Sequence, residues 1–178
     1  TLIGGLAGDA LTVAYNNVAV GYNSLSNDLK GSRSVAIGTN ALSSQQFGTS
    51  TNVYNTAVGY NAGAVITSGM PNTVIGGLAG GSISTGGSHT AVGYQALDNE
   101  TTASNNVAVG SGALTAQQGA ADNVAIGRVA GYSITTGERN IAIGSNAMYT
   151  NTVGDNSVAV GYNALYYQNP SSNADMYN

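Results

Sequence analysis

The chain has 178 residues, 42% of them hydrophobic and only 7% charged, with a formal net charge of −4 and no cysteine. This balance excludes a highly charged disordered tail, and four basic residues form no stripe for nucleic acid or an anionic membrane. Disulfides and thiolate metal sites are also excluded, no apolar run is long enough to span a bilayer as a helix, and no segment reads as a signal peptide, so the chain is expected to be a piece of a larger protein.

One short motif recurs ten times along the chain, centred on Gly4, Gly21, Gly38, Gly59, Gly76, Gly93, Gly110, Gly127, Gly144 and Gly161. Neighbouring glycines are 17 residues apart, except that Gly38 and Gly59 are 21 apart because four residues enter near 48–55. Repetition at a fixed short period is the signature of a solenoid. The residue before each glycine is β-branched: Ile3, then Val20, Ile37, Val58, Ile75, Val92, Val109, Ile126, Ile143 and Val160. Two residues earlier stands Val, Ile or Thr, and between them Ala in eight repeats, with Leu2 and Val74 in the others. Extended residues i and i+2 share one face, so the β-branched pair is expected to form the core, with a second, smaller apolar face opposite.

Three residues after the motif glycine comes Ala, with Ser24 the exception, and the next residue divides the repeats. It is Leu or Met in some and Gly in others (Gly8, Gly63, Gly80, Gly131). The glycine repeats continue with Leu11-Thr12, Ile66-Thr67, Ile83-Ser84 and Ile134-Thr135, which reads as compensation for the missing leucine. Asn precedes the strand at Asn17, Asn55, Asn72, Asn106, Asn123 and Asn140, where turn chemistry and a stacked asparagine ladder are expected. Seventeen residues suit a coil of two short strands and two turns. Ten coils at the spacing of paired strands would stand roughly 45 to 50 Å tall. The repeat domain is placed at 1–168, and 169–178, containing Asn169-Pro170-Ser171-Ser172-Asn173, reads as a repeat break, a linker or the start of a further coil.

The stretches Ser34-Val35-Ala36-Ile37-Gly38 and Asn156-Ser157-Val158-Ala159-Val160-Gly161 resemble the head repeats of trimeric autotransporter adhesins. The resemblance covers nearly the whole chain. It implies a left-handed parallel β-roll in which three chains intertwine around one hydrophobic core, and an attachment role. The period departs from that family, whose head repeat is shorter. Ala57–Gly63 (AVGYNAG) and Ala91–Leu97 (AVGYQAL) are closer in style to repeats of bacteriophage tail fibres.

Little else in the chain suggests chemistry. His89, the single histidine, sits where the asparagines sit and is expected to be a turn residue. Asp9, Asp28, Asp98, Glu100, Asp122, Glu138 and Asp155 fall on the variable arc, where solvated carboxylates are expected. Calcium-binding β-rolls need several oxygen ligands per site, more than these coils carry, and no metal or cofactor is expected. The stretch VGYNAL at Val160–Leu165 matches one hexad of hexapeptide acyltransferases, but a period of 17 does not divide into sixes. Thr56, Thr73 and Thr90 form a short rank of the kind that ice-binding solenoids display. Tyr22, Tyr60, Tyr94 and Tyr162 follow the motif glycine and are the candidate contacts to a glycan or receptor, beside Asn23, Asn61, Gln95 and Asn163.

Together these features predict an all-β homotrimeric β-solenoid with Val20, Ile37, Val58, Ile75, Val92, Val109, Ile126, Ile143 and Val160 in its core. The expected role is a structural and adhesive segment of an extracellular fibre, not an enzyme. A phage tail fibre mediating host attachment through a cell-surface glycan or protein leads. The head of a bacterial cell-surface adhesin and, further back, an ice-binding solenoid are the alternatives. No nucleic-acid partner and no membrane insertion are expected.

Overall fold

The structure, a computed structural model, describes residues 1–168; the break expected at Asn169–Asn173 lies outside them. The described residues contain no helix. They form a β-solenoid with one strand of a single wall in each coil: β1 (Leu2–Ile3), β2 (Val18–Val20), β4 (Val35–Ile37), β6 (Thr56–Val58), β7 (Asn72–Ile75), β8 (His89–Val92), β9 (Val107–Val109), β10 (Val124–Ile126), β11 (Ile141–Ile143) and β12 (Val158–Val160). All pairs are parallel. The register follows the period, as in Val107↔Val124 and Val124↔Ile141, and steps by 21 across the insertion at Val35↔Thr56.

The second strand expected in every coil is not there. Among the described residues a second sheet exists only at the insertion, where β3 (Gly31–Ser32) pairs with β5 (Thr51–Asn52). Elsewhere the chain after the motif glycine bends twice through left-handed conformations, two and four residues on, as at Asn40 (φ 58°) and Leu42 (φ 51°), so it cannot extend. These bent walls are still hydrogen-bonded from coil to coil, as in Leu25 N–H to Ala41 O (3.0 Å) and Leu97 N–H to Ala113 O (2.9 Å). Backbone donors are therefore satisfied without a second sheet.

The interior of the coil belongs to the small face of the strand. Ala19, Ala36, Ala57, Val74, Ala91, Ala108 and Ala125 point inward and are fully buried against Leu25, Leu42, Leu97 and Leu114 from the opposite wall. The residues expected to form the core (Val20, Ile37, Val58, Ile75, Val92, Val109, Ile126, Ile143 and Val160) face outward instead and stay partly or largely exposed, Ile37 at 38% and Ile143 at 37%. They are thus not the interior of the single coil, because both faces are apolar and alternation alone does not say which one turns in. Size decides it: alanine fits where facing walls are this close, and the larger Val74 is admitted where Gly63 and Gly80 stand opposite.

The two kinds of repeat exchange volume as expected. A methyl placed on Gly63 would lie 2.8 Å from Ile66 Cδ1, and one on Gly80 2.8 Å from Ile83 Cδ1, so the isoleucine three residues on fills the leucine's place. The hydroxyl that follows ties down the turn: Thr67 Oγ1 donates to Ser84 O (3.2 Å) and Thr135 Oγ1 to Thr152 O (3.0 Å), both in the next coil. The insertion leaves the wall after Phe47 and returns at Thr51, with 48–50 exposed. Lys30 brackets it, its N–H donating to Phe47 O (3.1 Å) and its carbonyl accepting from Thr51 N–H (3.4 Å).

Candidate functional site

Three surfaces could act on a partner: the outward face of the large sheet, the tyrosine row beside it, and the tyrosine cleft near residue 166. The sheet face carries two apolar ranks. One is the Val/Ile series before the glycines, and the other holds Val18, Val35, Thr56, Thr73, Thr90, Val107, Val124, Ile141 and Val158. Partly or largely exposed side chains, mostly apolar, in register over ten strands make a continuous patch, unlike the scattered apolar residues usual on a monomer. The three threonines lie on this outward face rather than in the coil interior, and valines or isoleucines flank them in the same rank.

Tyr22, Tyr60, Tyr94 and Tyr162 project from the turn just after the sheet and are strongly exposed, from 56% for Tyr94 to 74% for Tyr162. The first three recur on every second coil, roughly 10 Å apart by strand spacing. Two of the rings lean over a glycine of the preceding coil: a methyl on Gly5 would meet Tyr22 Cδ2 at 3.4 Å, and one on Gly77 Tyr94 Cδ2 at 3.6 Å. Beside them an amide ladder runs from Asn23 Nδ2 to Asn40 Oδ1 (3.0 Å) and from Asn40 Nδ2 to Asn61 Oδ1 (2.9 Å). The tyrosines therefore form a row and do not converge on one pocket.

Tyr162 borders a cleft, about 450 Å³ in volume and lined also by Asn146, Asn163, Tyr166 and Tyr167. Tyr166 ends a stack with Tyr149 and Tyr132, ring centroids 5.0 and 5.2 Å apart. Neither this stack nor its cleft was visible from the motif, because these rings lie on the variable arc.

His89 does an asparagine's work, as expected. Asn72 Nδ2 donates to Gly86 O (3.0 Å), and Asn72 Oδ1 accepts from His89 N–H (3.0 Å). One coil on, His89 Nε2 stands 2.8 Å from Ala103 O and Nδ1 accepts from Asn106 N–H (3.3 Å). This pairing assigns the proton to Nε2 and keeps the ring neutral. Burial pushes its pKa below the ordinary histidine value, outweighing the Ala103 carbonyl and the charge of Glu100.

The expectation of solvated carboxylates fails at Asp28 and Glu100, which are 0% exposed. Glu100 Oε1 accepts from the N–H groups of Thr101 (2.7 Å), Thr102 (2.9 Å), Ala103 (2.8 Å) and Gly119 (3.2 Å), and Oε2 from Gln117 Nε2 (3.3 Å). Asp28 accepts from Gly31 N–H (3.0 Å), Phe47 N–H (3.1 Å) and Gln45 Nε2 (2.6 Å). Both acids stand seven residues after a motif glycine and take an amide from the glutamine in the same place one coil on. Backbone N–H groups crowding a turn make a nest that binds an anion, and here the chain supplies its own carboxylate. Among the described residues no three His, Cys, Asp or Glu side chains come together as metal ligands.

No family model, no curated protein and no solved structure matches the chain.

Proposed function

We propose that the chain is a structural and adhesive segment of a trimeric surface fibre, an extracellular bacteriophage tail fibre that attaches to its host. Three copies pack their sheet faces together as an intertwined left-handed roll, and the tyrosine rows face outward toward a cell-surface glycan or protein. The head of a bacterial trimeric adhesin would use the same assembly. The number three and the handedness come from the resemblance to adhesin heads.

The supporting observation is the outward apolar face. Full burial of a Val or Ile side chain is worth about 1.5–3 kcal/mol. The Val/Ile rank is already half covered, so completing its burial contributes about 1 kcal/mol per residue, on the order of 10 kcal/mol per chain. This is comparable with the roughly 4–15 kcal/mol that association costs. The fibre needs no cofactor and performs no catalysis in this reading.

Light scattering on the purified chain tests it, the expected mass being three times 17.7 kDa. Val109→Asp places a carboxylate in the middle of the patch, where desolvation costs several kcal/mol, and is expected to dissociate the assembly. A folded, monodisperse monomer of the unaltered chain would refute the shared core.

A further inference from the structure

The four-residue insertion is the one place where the 17-residue spacing is broken, and a stack of exposed side chains stands beside it. Tyr15, Arg33 and Tyr54 come from three successive coils and stack along the solenoid axis. The Arg33 guanidinium carbon lies 5.8 Å from the Tyr15 ring centroid and 5.5 Å from that of Tyr54. Arg33 Nη1 donates to Tyr54 Oη (3.0 Å), and Tyr15 Oη reaches past the intervening coil to donate to Asn52 Oδ1 (3.2 Å) on β5. All four residues are exposed, so the stack is a surface feature held in place by its own contacts.

The charge here is unanswered. Among the described residues, ion pairs form only around Arg139, with Glu138 and Asp155, and Asp28, close in sequence, spends its oxygens on buried donors. A guanidinium carries five N–H donors in a planar fork, more than two phenol oxygens occupy, and that fork matches a carboxylate or sulfate. Lys30, at the foot of the insertion, adds a second cation. The tyrosine faces offer flat apolar surface to the C–H side of a sugar ring, while Asn52, Thr49 and Thr51 offer partners to its hydroxyls.

We propose that Tyr15, Arg33, Tyr54 and Asn52 form a binding site for an acidic saccharide, a sugar chain bearing carboxylate or sulfate groups. Arg33 takes the acid group, the two rings stack on the sugar, and Asn52 orients it. The stack spans two coil spacings, roughly 10 Å, so it recognises a chain and not a single anion. The inference deepens the attachment reading and rests on it for its purpose in a fibre.

Isothermal titration of the whole chain with a galacturonic acid tetramer, and with the same tetramer fully methyl-esterified, tests the site. The acid form is expected to bind saturably, the ester at least tenfold more weakly, and Arg33→Gln to lose at least tenfold, with Arg33→Lys between. Equal binding of acid and ester, or full binding by a folded Arg33→Gln protein, would overturn the proposal. So would inorganic sulfate displacing the tetramer at equal concentration, which would mark an adventitious ion only. If Arg33→Gln fails to fold, the acid and ester comparison on the unaltered protein decides. Light scattering on the same sample separates the two readings: a trimer that ignores the tetramer sinks this site alone, and a monomer that binds it sinks the shared core alone.

Discussion

Replacing Gly93 with alanine tests why the motif glycine recurs in every coil. Gly93 has φ of 135°, a conformation that L side chains rarely adopt, and an added methyl would lie 2.6 Å from both the carbonyl carbon and oxygen of Gly110 in the next coil. The backbone strain costs about 1–3 kcal/mol. Relieving the clash means spreading the coils, which weakens the hydrogen bonds across that gap, from Gly110 N–H to Val92 O (2.7 Å) and from Gly112 N–H to Tyr94 O (2.9 Å). Each is worth about 1 kcal/mol. The expected loss is therefore roughly 2–5 kcal/mol, read by urea unfolding with hydrogen exchange of the Gly110 and Gly112 amides to locate it. Gly48→Ala is the control, since its methyl would meet nothing within 4 Å, and it is expected to change stability by less than about 0.5 kcal/mol. If the two variants unfold alike, the steric account of the motif is wrong.

His89→Asn should change the pH dependence of stability. The neutral ring is the form that fits, so its contribution is complete above the unfolded histidine value of about 6.5 and is lost as pH falls through that value toward the lowered native one. Melting curves from pH 7.5 to 5 should slope more steeply for the natural chain than for His89→Asn, and parallel curves would contradict the assignment. Glu100→Ala strips the acceptor from four partly buried turn N–H groups; at about 1 kcal/mol for each net hydrogen bond, a loss of roughly 2–4 kcal/mol is expected in urea, and a loss below 1 would mean that water replaces the carboxylate. Leu114→Gly should cost about 2–4 kcal/mol as a cavity, and Gln117→Ile about 1–3 by overpacking. The pair together recreates the Gly–Ile pattern of other coils, so the double variant is expected to be at least 1 kcal/mol more stable than the sum of the singles. Strict additivity would remove the volume-exchange account.

Much of this architecture was legible because a 17-residue period leaves so few arrangements open. The parallel register, the asparagine column and the role of His89 follow from the spacing of the motif glycines. The volume exchange at Gly63 and Ile66 was also readable, since a glycine and a bulky residue three positions later vary together. The inside and outside of the strand were not. Val109 and Ala108 are both apolar, and only the width of the coil, which depends on the opposite wall, chooses between them. The burial of Asp28 and Glu100 was hidden by their place among variable residues, although one signal was present: a polar residue stands at that position wherever Leu or Met stands three residues before it. Within the group around Arg33, Arg33 and Tyr54 share a column, each five residues before a motif glycine, whereas Tyr15 and Asn52 stand one and two positions earlier. The insertion shifts register only where β3 meets β5, pairing Ser32 with Asn52 one position off the column, so no column analysis brings Asn52 to Tyr15.

The asparagine column also bears on how such a molecule can change over time. Asn106 Nδ2 closes its own coil onto Ala120 O (2.8 Å), and Asn106 Oδ1 receives Asn123 N–H (2.9 Å) from the next; Asn123 repeats both bonds with Gly137 and Asn140. Each clasp refers to one closure and one successor and to nothing farther away. Duplicating or deleting a unit of 17 residues thus leaves every remaining clasp with a partner of the same kind. The length of the rod becomes a heritable quantity adjustable in steps of about 4.8 Å, and unequal recombination within the gene can tune the reach of the molecule without designing a new fold.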